Sequence, residues 1–394
     1  MIKIDYRWLR ISYLLFVIAW MIGDMRDNIN DDFKYVFMFL VVIIGAVILI
    51  GNLNKPIHNM DDFFYIMSVP VVLGVITLFY SMMNGMKFLL MWDMFYLIVP
   101  YLMVFIIVNV DQNQNRDFYF DTLLVGHIAL FFYKFANILD IEHIKEISFV
   151  DSFSPYESVT AHIYTLLFYY YYVKNKKVRC LLALFFGILS YKRLHVVFAV
   201  FVLLLGWSLR KRVVGVYLER VVKVLFISSP LVLYAILTDQ FATWFQATFQ
   251  VDFGGFTMGR FDQLREVVTA DITNYGLGSI KYYLDNKGAY INILHCDIMR
   301  ILIETSFIGL VVLVSAYFNV AKKNIYSFIL MIFIFMIMFS STVINGFLGW
   351  FVVFLSIDEF NRKDATNQYS GVMQYRDDGI LNVKYTRFHS SRKA

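Results

Sequence analysis

Residues 35–51 read YVFMFLVVIIGAVILIG, a run without a charged side chain. Its apolar residues occupy every face of a helix instead of one stripe, so it does not fit the surface helix of a water-soluble core. Its length approaches the ~20 residues a helix needs to cross a hydrocarbon layer of roughly 30 Å. Residues 325–343, IYSFILMIFIFMIMFSSTV, repeat the pattern. The surrounding 394 residues are 59% hydrophobic and 16% charged, against about 25% charged in an ordinary globular chain. A soluble core cannot absorb that much apolar surface. The expected fold is an all-α, polytopic integral membrane protein.

Working outward, hydropathy sets spans near residues 11–23, 35–51, 63–83, 88–110, 118–139, 158–173, 179–190, 194–209, 221–238, 298–320, 325–343 and 345–357, about twelve in all. The pair around Tyr191 and the last segment are short for a full crossing, and the pair reads as a helical hairpin dipping into a cavity. The first span is followed by Asp24, Met25 and Arg26 instead of a small-residue cleavage site, so it is expected to stay in the chain. Residues 1–357 form one transmembrane domain, and 358–394 a polar, basic tail expected to be poorly ordered.

Lysine and arginine collect on the cytoplasmic side of short membrane loops. With the N-terminus inside, the inner segments hold Lys3, Arg7 and Arg10, then Lys174, Lys176, Lys177 and Arg179, then Arg210, Lys211, Arg212 and Arg220, then Lys322 and Lys323. The opposite loops, such as 24–32 and 140–157, are acidic or neutral, and an even number of spans makes both termini cytoplasmic. Location therefore matters more than the net charge of +5, and no nucleic-acid partner is expected. Two segments break the rule: the short outer turn with Lys192 and Arg193, and the single long outer segment, 239–297, with Arg260, Arg265, Lys281 and Lys287. Anion binding is the most economical reason for cations there.

Two cysteines cannot build a disulfide framework, nothing resembles a zinc or iron–sulfur ligand set, and no cofactor is expected. Of the other intramembrane polar residues, Asp93, His127, Lys134 and His162, the middle two are seven apart and share a helix face. They read as packing contacts more readily than as a path.

The stretch Leu189-Ser190-Tyr191-Lys192-Arg193, followed by an apolar run, resembles a motif of the O-antigen polymerase and O-antigen ligase superfamily of bacterial polysaccharide assembly. A longer series adds to the resemblance: Gly259-Arg260, then Tyr275-Gly276-Leu277-Gly278, then His295-Cys296-Asp297, then a span containing Glu304 and Gly309. Cys296 stands where the family usually has asparagine, and Thr305-Ser306 where a glycine is common.

The resemblance implies a polymerase of the bacterial inner membrane. It would join undecaprenyl-diphosphate-linked oligosaccharide repeats, as donor and acceptor, into O-antigen or capsular polysaccharide on the external face, by metal-independent, inverting transfer. A chain-length regulator and a flippase of the same pathway would be partners beside membrane lipid. The ligase, which hands finished polymer to another lipid, and a lipid-linked oligosaccharide flippase are the alternatives, and a scaffold of the assembly complex is a third class. Breaking the sugar–diphosphate bond puts negative charge on the leaving group. Arg193 and Arg260, with Lys192 and Arg265 behind them, are the expected diphosphate ligands, because the guanidinium fork can hold two phosphate oxygens. A plain snorkelling role would also suit Arg193. His295 is the expected general base toward an acceptor hydroxyl. Glu304, ~10 Å deeper on a helix rising 1.5 Å per residue, is expected to pair with Arg300 four residues before it.

Overall fold

The computed structural model describes residues 6–25, 32–52, 54, 56–85, 91–111, 116–147, 154–156, 161–190, 192–205, 213–288 and 293–370, with side chains omitted at 91 and 363–370. Lys3, Arg26, Tyr191, Arg210, Lys211, Arg212, Glu157 and the tail 371–394 lie outside the described residues.

Every regular element among the described residues is helical. In chain order these are α1 (Tyr6–Met25), α2 (Phe33–Gly51), α3 (Met60–Met83), α4 (Met91–Val110), α5 (Asp117–Phe135), α6 (Ile141–Lys145), α7 (Ala161–Val173), α8 (Lys177–Leu189), α9 (Arg193–Leu205), α10 (Val216–Ile236), α11 (Asp239–Phe249), α12 (Phe253–Phe256), α13 (Arg260–Thr269), α14 (Ser279–Asn286), α15 (Asp297–Ala321), α16 (Ile325–Ile337) and α17 (Phe347–Ser370). Among the described residues six helices, α1 to α5 and α15, are long and apolar enough to cross a membrane. A seventh crossing results if α10 and α11, bent by 82° at their junction, count as one broken span. The chain is therefore a helical membrane protein.

Position in the bundle follows from which faces stay apolar. On α3 and α10, Val71 and Leu231 are 63% and 72% exposed. Apolar side chains so exposed on long helices are tolerable where the solvent is lipid. The centre belongs to α17, whose Phe351 and Phe360 stack on Tyr13 of α1 and Tyr170 of α7, and whose Phe354 meets Tyr101 of α4 and Tyr317 of α15 edge to face. In lipid such contacts draw on close packing rather than on escape from water, which explains aromatic crowding at the axis. Pro70, Pro100 and Pro230 sit inside α3, α4 and α10, where neighbouring helices can satisfy the freed carbonyls.

One end of the bundle is a salt-bridge layer. Arg10 pairs with Asp111, Arg116 with Asp358, Lys174 with Glu359, Arg179 with Asp121, Lys176 with Asp117, and Lys323 with Asp62. Arg10, Lys174, Lys176, Arg179 and Lys323, from three of the four basic segments singled out by charge, thus share an end and are matched by acids. The other end carries α11–α14.

Three expectations need correction. The long segment 239–297 is no loop, because four helices fill most of it. The tail does not begin at residue 358: the apolar run of the last span is short as expected, but α17 has 24 residues and continues past residue 357, because Asp358 and Glu359, which end the apolar run, are paired and partly buried and so let the helix go on. Conversely, the helix beginning at Ile325 stops at Ile337. Beyond it Asp297 accepts hydrogen bonds from the Val343 and Ile344 amides, so the serine- and threonine-rich residues 340–342 belong to a loop.

Candidate functional site

The site lies at the end opposite the salt-bridge layer, where α11–α14 and the loop between α16 and α17 cover the mouths of α9 and α15. Its scaffold begins with Gly276. With φ of +97° it makes a turn open to glycine, and a Cβ there would come within 2.5 Å of the Thr77 Cα on α3. The turn is held by Leu277 N–H donating to Thr77 Oγ1 at 3.1 Å, and by Asn274 donating to the Ile303 carbonyl at 2.8 Å. Gly259, at φ +73°, starts α13 in the same way, so Arg260 occupies its first turn.

From that turn Arg260 donates to the Ser340 carbonyl at 2.7 Å, tying α13 to the loop after α16. His295, one residue before the cap of α15, is half-buried. Its pKa is held below the ordinary histidine value first by burial, then by the positive charges of Arg260 and Lys192. Two sequence candidates from separate elements, Lys192 and Arg260, thus lie within electrostatic reach of a third, His295. The neutral imidazole this environment favours is the form that can accept a proton, and Nδ1 makes no hydrogen bond among the described residues.

Arg193 stands at the first position of α9, next to Lys192. It donates to the Phe256 carbonyl at 2.9 Å, and its guanidinium lies over the Phe256 ring, 4.6 Å from the centroid. A cation over an aromatic face is worth about 0.5–1 kcal/mol at an exposed site. Arg265 is not part of the group. It points the other way along α13 and pairs with exposed Asp239 at 2.7 Å, as five residues of helix, or 500°, require.

Glu304 and Arg300 lie deeper, and their pairing is present, with Arg300 Nε donating to Glu304 Oε2 at 3.2 Å. The same guanidinium bonds Asp93 of α4 and donates to Asn345 at 3.4 Å, with Asp297 3.9 Å away. Glu304 also accepts the Ile280 N–H of α14 at 3.0 Å. This buried network joins α4, α14, α15 and the loop before α17, and so supports the site from below. His127 is buried, with Nδ1 against the Leu123 carbonyl at 2.8 Å, whereas Lys134 is exposed. The two do not line one interior path, because α5 presents that face to protein at His127 and to its surroundings at Lys134.

His195, which belongs to no motif in the sequence, is buried on α9 with Nδ1 lacking a partner among the described residues. Lys192 and His162 are both near enough to act on it electrostatically, and the His162 ring packs against Gly349 at the start of α17. The signal available was spacing: Lys192 and His195 are three apart at a helix mouth and share a face. Phe256 and Ser340, which hold the arginines by backbone carbonyls, left no such signal. Cys180, in the first turn of α8, and Cys296, buried at the cap of α15, are both free thiols. Among the described residues no group of three histidine, cysteine or acidic side chains is disposed to hold a metal ion. The chain matches no family model, no curated protein and no solved structure.

Proposed function

We propose that this protein is a membrane glycosyltransferase of the polysaccharide-polymerase type, acting on lipid-diphosphate-linked oligosaccharides at the external face of a bacterial inner membrane. The observation that carries this reading is the gathering of Lys192, Arg260 and a neutral His295 at one end, beside Arg193. Fixed cations aimed at a departing diphosphate stabilise charge that grows in the transition state. A neutral imidazole beside them can take the proton of an attacking sugar hydroxyl. The sugar–oxygen bond to the diphosphate breaks, the acceptor oxygen forms the new glycosidic bond, and the proton leaves on His295.

Topology supports the same reading. We take α1–α5, α7–α10 and α15–α17 as twelve traversals, with the salt-bridge layer, which includes Arg10 and Asp358 from the two ends of the chain, as the cytoplasmic side. The side with α11–α14 is then external, where the lipid-linked repeat is presented.

Reconstitution with a purified undecaprenyl-diphosphate-linked repeat tests the proposal. A ladder of glycan lengths on lipid diphosphate is expected. Glycan moved to a different lipid acceptor would make the protein a ligase, and unaltered substrate carried across the bilayer would make it a flippase.

A further inference from the structure

The segment from α11 to α12 takes no part in the proposed chemistry, yet it has the most unusual surface of the outer end. It leaves α10 at 82°. On α10, Val224, Leu225 and Leu231 are turned outward, and α11 runs nearly at right angles to it.

No residue of α11 is buried. Phe241, Phe245 and Phe249 recur at four-residue spacing with Trp244 beside them, so they share a face. Their rings continue through Phe253 and Phe256: Phe245 lies 4.8 Å from Phe249, 5.0 Å from Phe253 and 5.4 Å from Phe256. Trp244 and Phe249 remain 54% and 55% exposed. Gln240, Gln246 and Gln250 make up much of the remaining surface. Such a helix, with aromatic rings on one side, amides on another and no charge after Asp239, suits the boundary between lipid headgroups and acyl chains. At its far end Phe256 gives both its carbonyl and its ring face to Arg193, and Arg265 with Asp239 fastens the near end to α13.

We infer that residues 239–257 form an interfacial strap, seated by its aromatic face in the outer-leaflet phospholipid boundary, which latches Arg193 through Phe256. The occupant of the exposed face is the phospholipid interface, because the strap continues directly from a helix whose outward side chains are lipid-compatible. The latch engages one terminal nitrogen and one face of the guanidinium, so an anion gripping Arg193 at that nitrogen competes with the Phe256 carbonyl. That last step rests on the diphosphate reading above; the seat and the latch do not.

The experiment uses full-length protein in proteoliposomes without substrate. Tryptophan emission is compared between the wild type and Trp244→Phe, so that the difference reports Trp244 among the six tryptophans of the chain. Phospholipids brominated near the headgroup end of the acyl chain are expected to remove most of this difference signal, and aqueous iodide little of it. The reverse order of quenching overturns the seat. For the latch, backbone hydrogen exchange is followed in residues 253–258, with α15 as internal reference. Faster exchange there in Arg193→Ala and in Phe256→Leu, with α15 unchanged, is expected; unchanged exchange in both variants overturns the latch. Undecaprenyl diphosphate added to the wild type is expected to speed exchange in the same residues. If it does not, while seat and latch hold, the diphosphate reading fails and the strap stands.

Discussion

His295 is half-buried and faces two cations, and both facts disfavour its charged form. The sign is explicit: a lowered pKa keeps the imidazole neutral down to a pH below the ordinary value of about 6.5. Glycan extension is therefore expected to begin its acid-side fall at a lower pH than it would with an unperturbed histidine. Initial rates across pH check this. At Arg193, lysine keeps the charge but loses the two-pronged grip on diphosphate and the flat contact with Phe256. Arg193→Lys is expected to retain partial activity and Arg193→Ala to abolish polymerisation at equal membrane expression; full activity in both would reduce Arg193 to a snorkelling anchor. Deeper in, Arg300 faces three carboxylates. Removing one partner of a buried ion pair costs about 3–5 kcal/mol, so Arg300→Ala should lower the thermal midpoint in detergent far more than Arg260→Ala, whose guanidinium binds a partly exposed carbonyl.

At the scale of elements, α15 carries an irregularity that sequence foreshadowed without explaining. Ser306 has φ +64° and ψ 179° inside the helix, a region essentially reserved for glycine and costing of order 1–3 kcal/mol for other residues. It falls at Thr305-Ser306, where the resemblance would put a glycine. Ser306→Gly is therefore expected to stabilise the protein, seen as a higher thermal midpoint, while Gly276→Ala should lower it because the new methyl group meets the backbone of α3. The apolar cores of the helices were legible because lipid demands uninterrupted apolar runs, and 35–51 announces α2 almost residue for residue. The ends were not. Asp358 and Glu359 look like a terminus until Arg116 and Lys174 are found beside them, and residues 338–343 look like span until Asp297 is found to take the amides of Val343 and Ile344. Pairings between segments far apart in the chain decide both, and hydropathy is blind to them. The same holds for the site: Arg260 and His295 could be nominated from local motifs, but Phe256, Ser340 and the removal of Arg265 to Asp239 depend on how α11, α13 and the loop after α16 meet.

For the whole molecule, the division into a salt-bridged end and a cationic, histidine-bearing end makes sidedness testable. In a Cys180→Ser, Cys296→Ala background, a cysteine at exposed Gln250 should react with a membrane-impermeant thiol reagent on intact cells, and one at exposed Lys177 only after the membrane is opened. Native Cys296, being buried, is expected to stay unlabelled in either case. The helices thus hold apart a salt-bridged layer and a layer bearing His295 and Arg260, and the buried Arg300 network links the second to the bundle interior. The most direct measurement is the length distribution of glycan made from purified lipid-linked repeat by proteoliposomes of wild type and His295→Ala. A ladder from the wild type is expected, with extension slowed about 10²- to 10⁴-fold in the variant while it still binds the donor lipid. Unextended repeat from the wild type, or an equal ladder from His295→Ala, would contradict the assignment of this end of the molecule as a polymerase site.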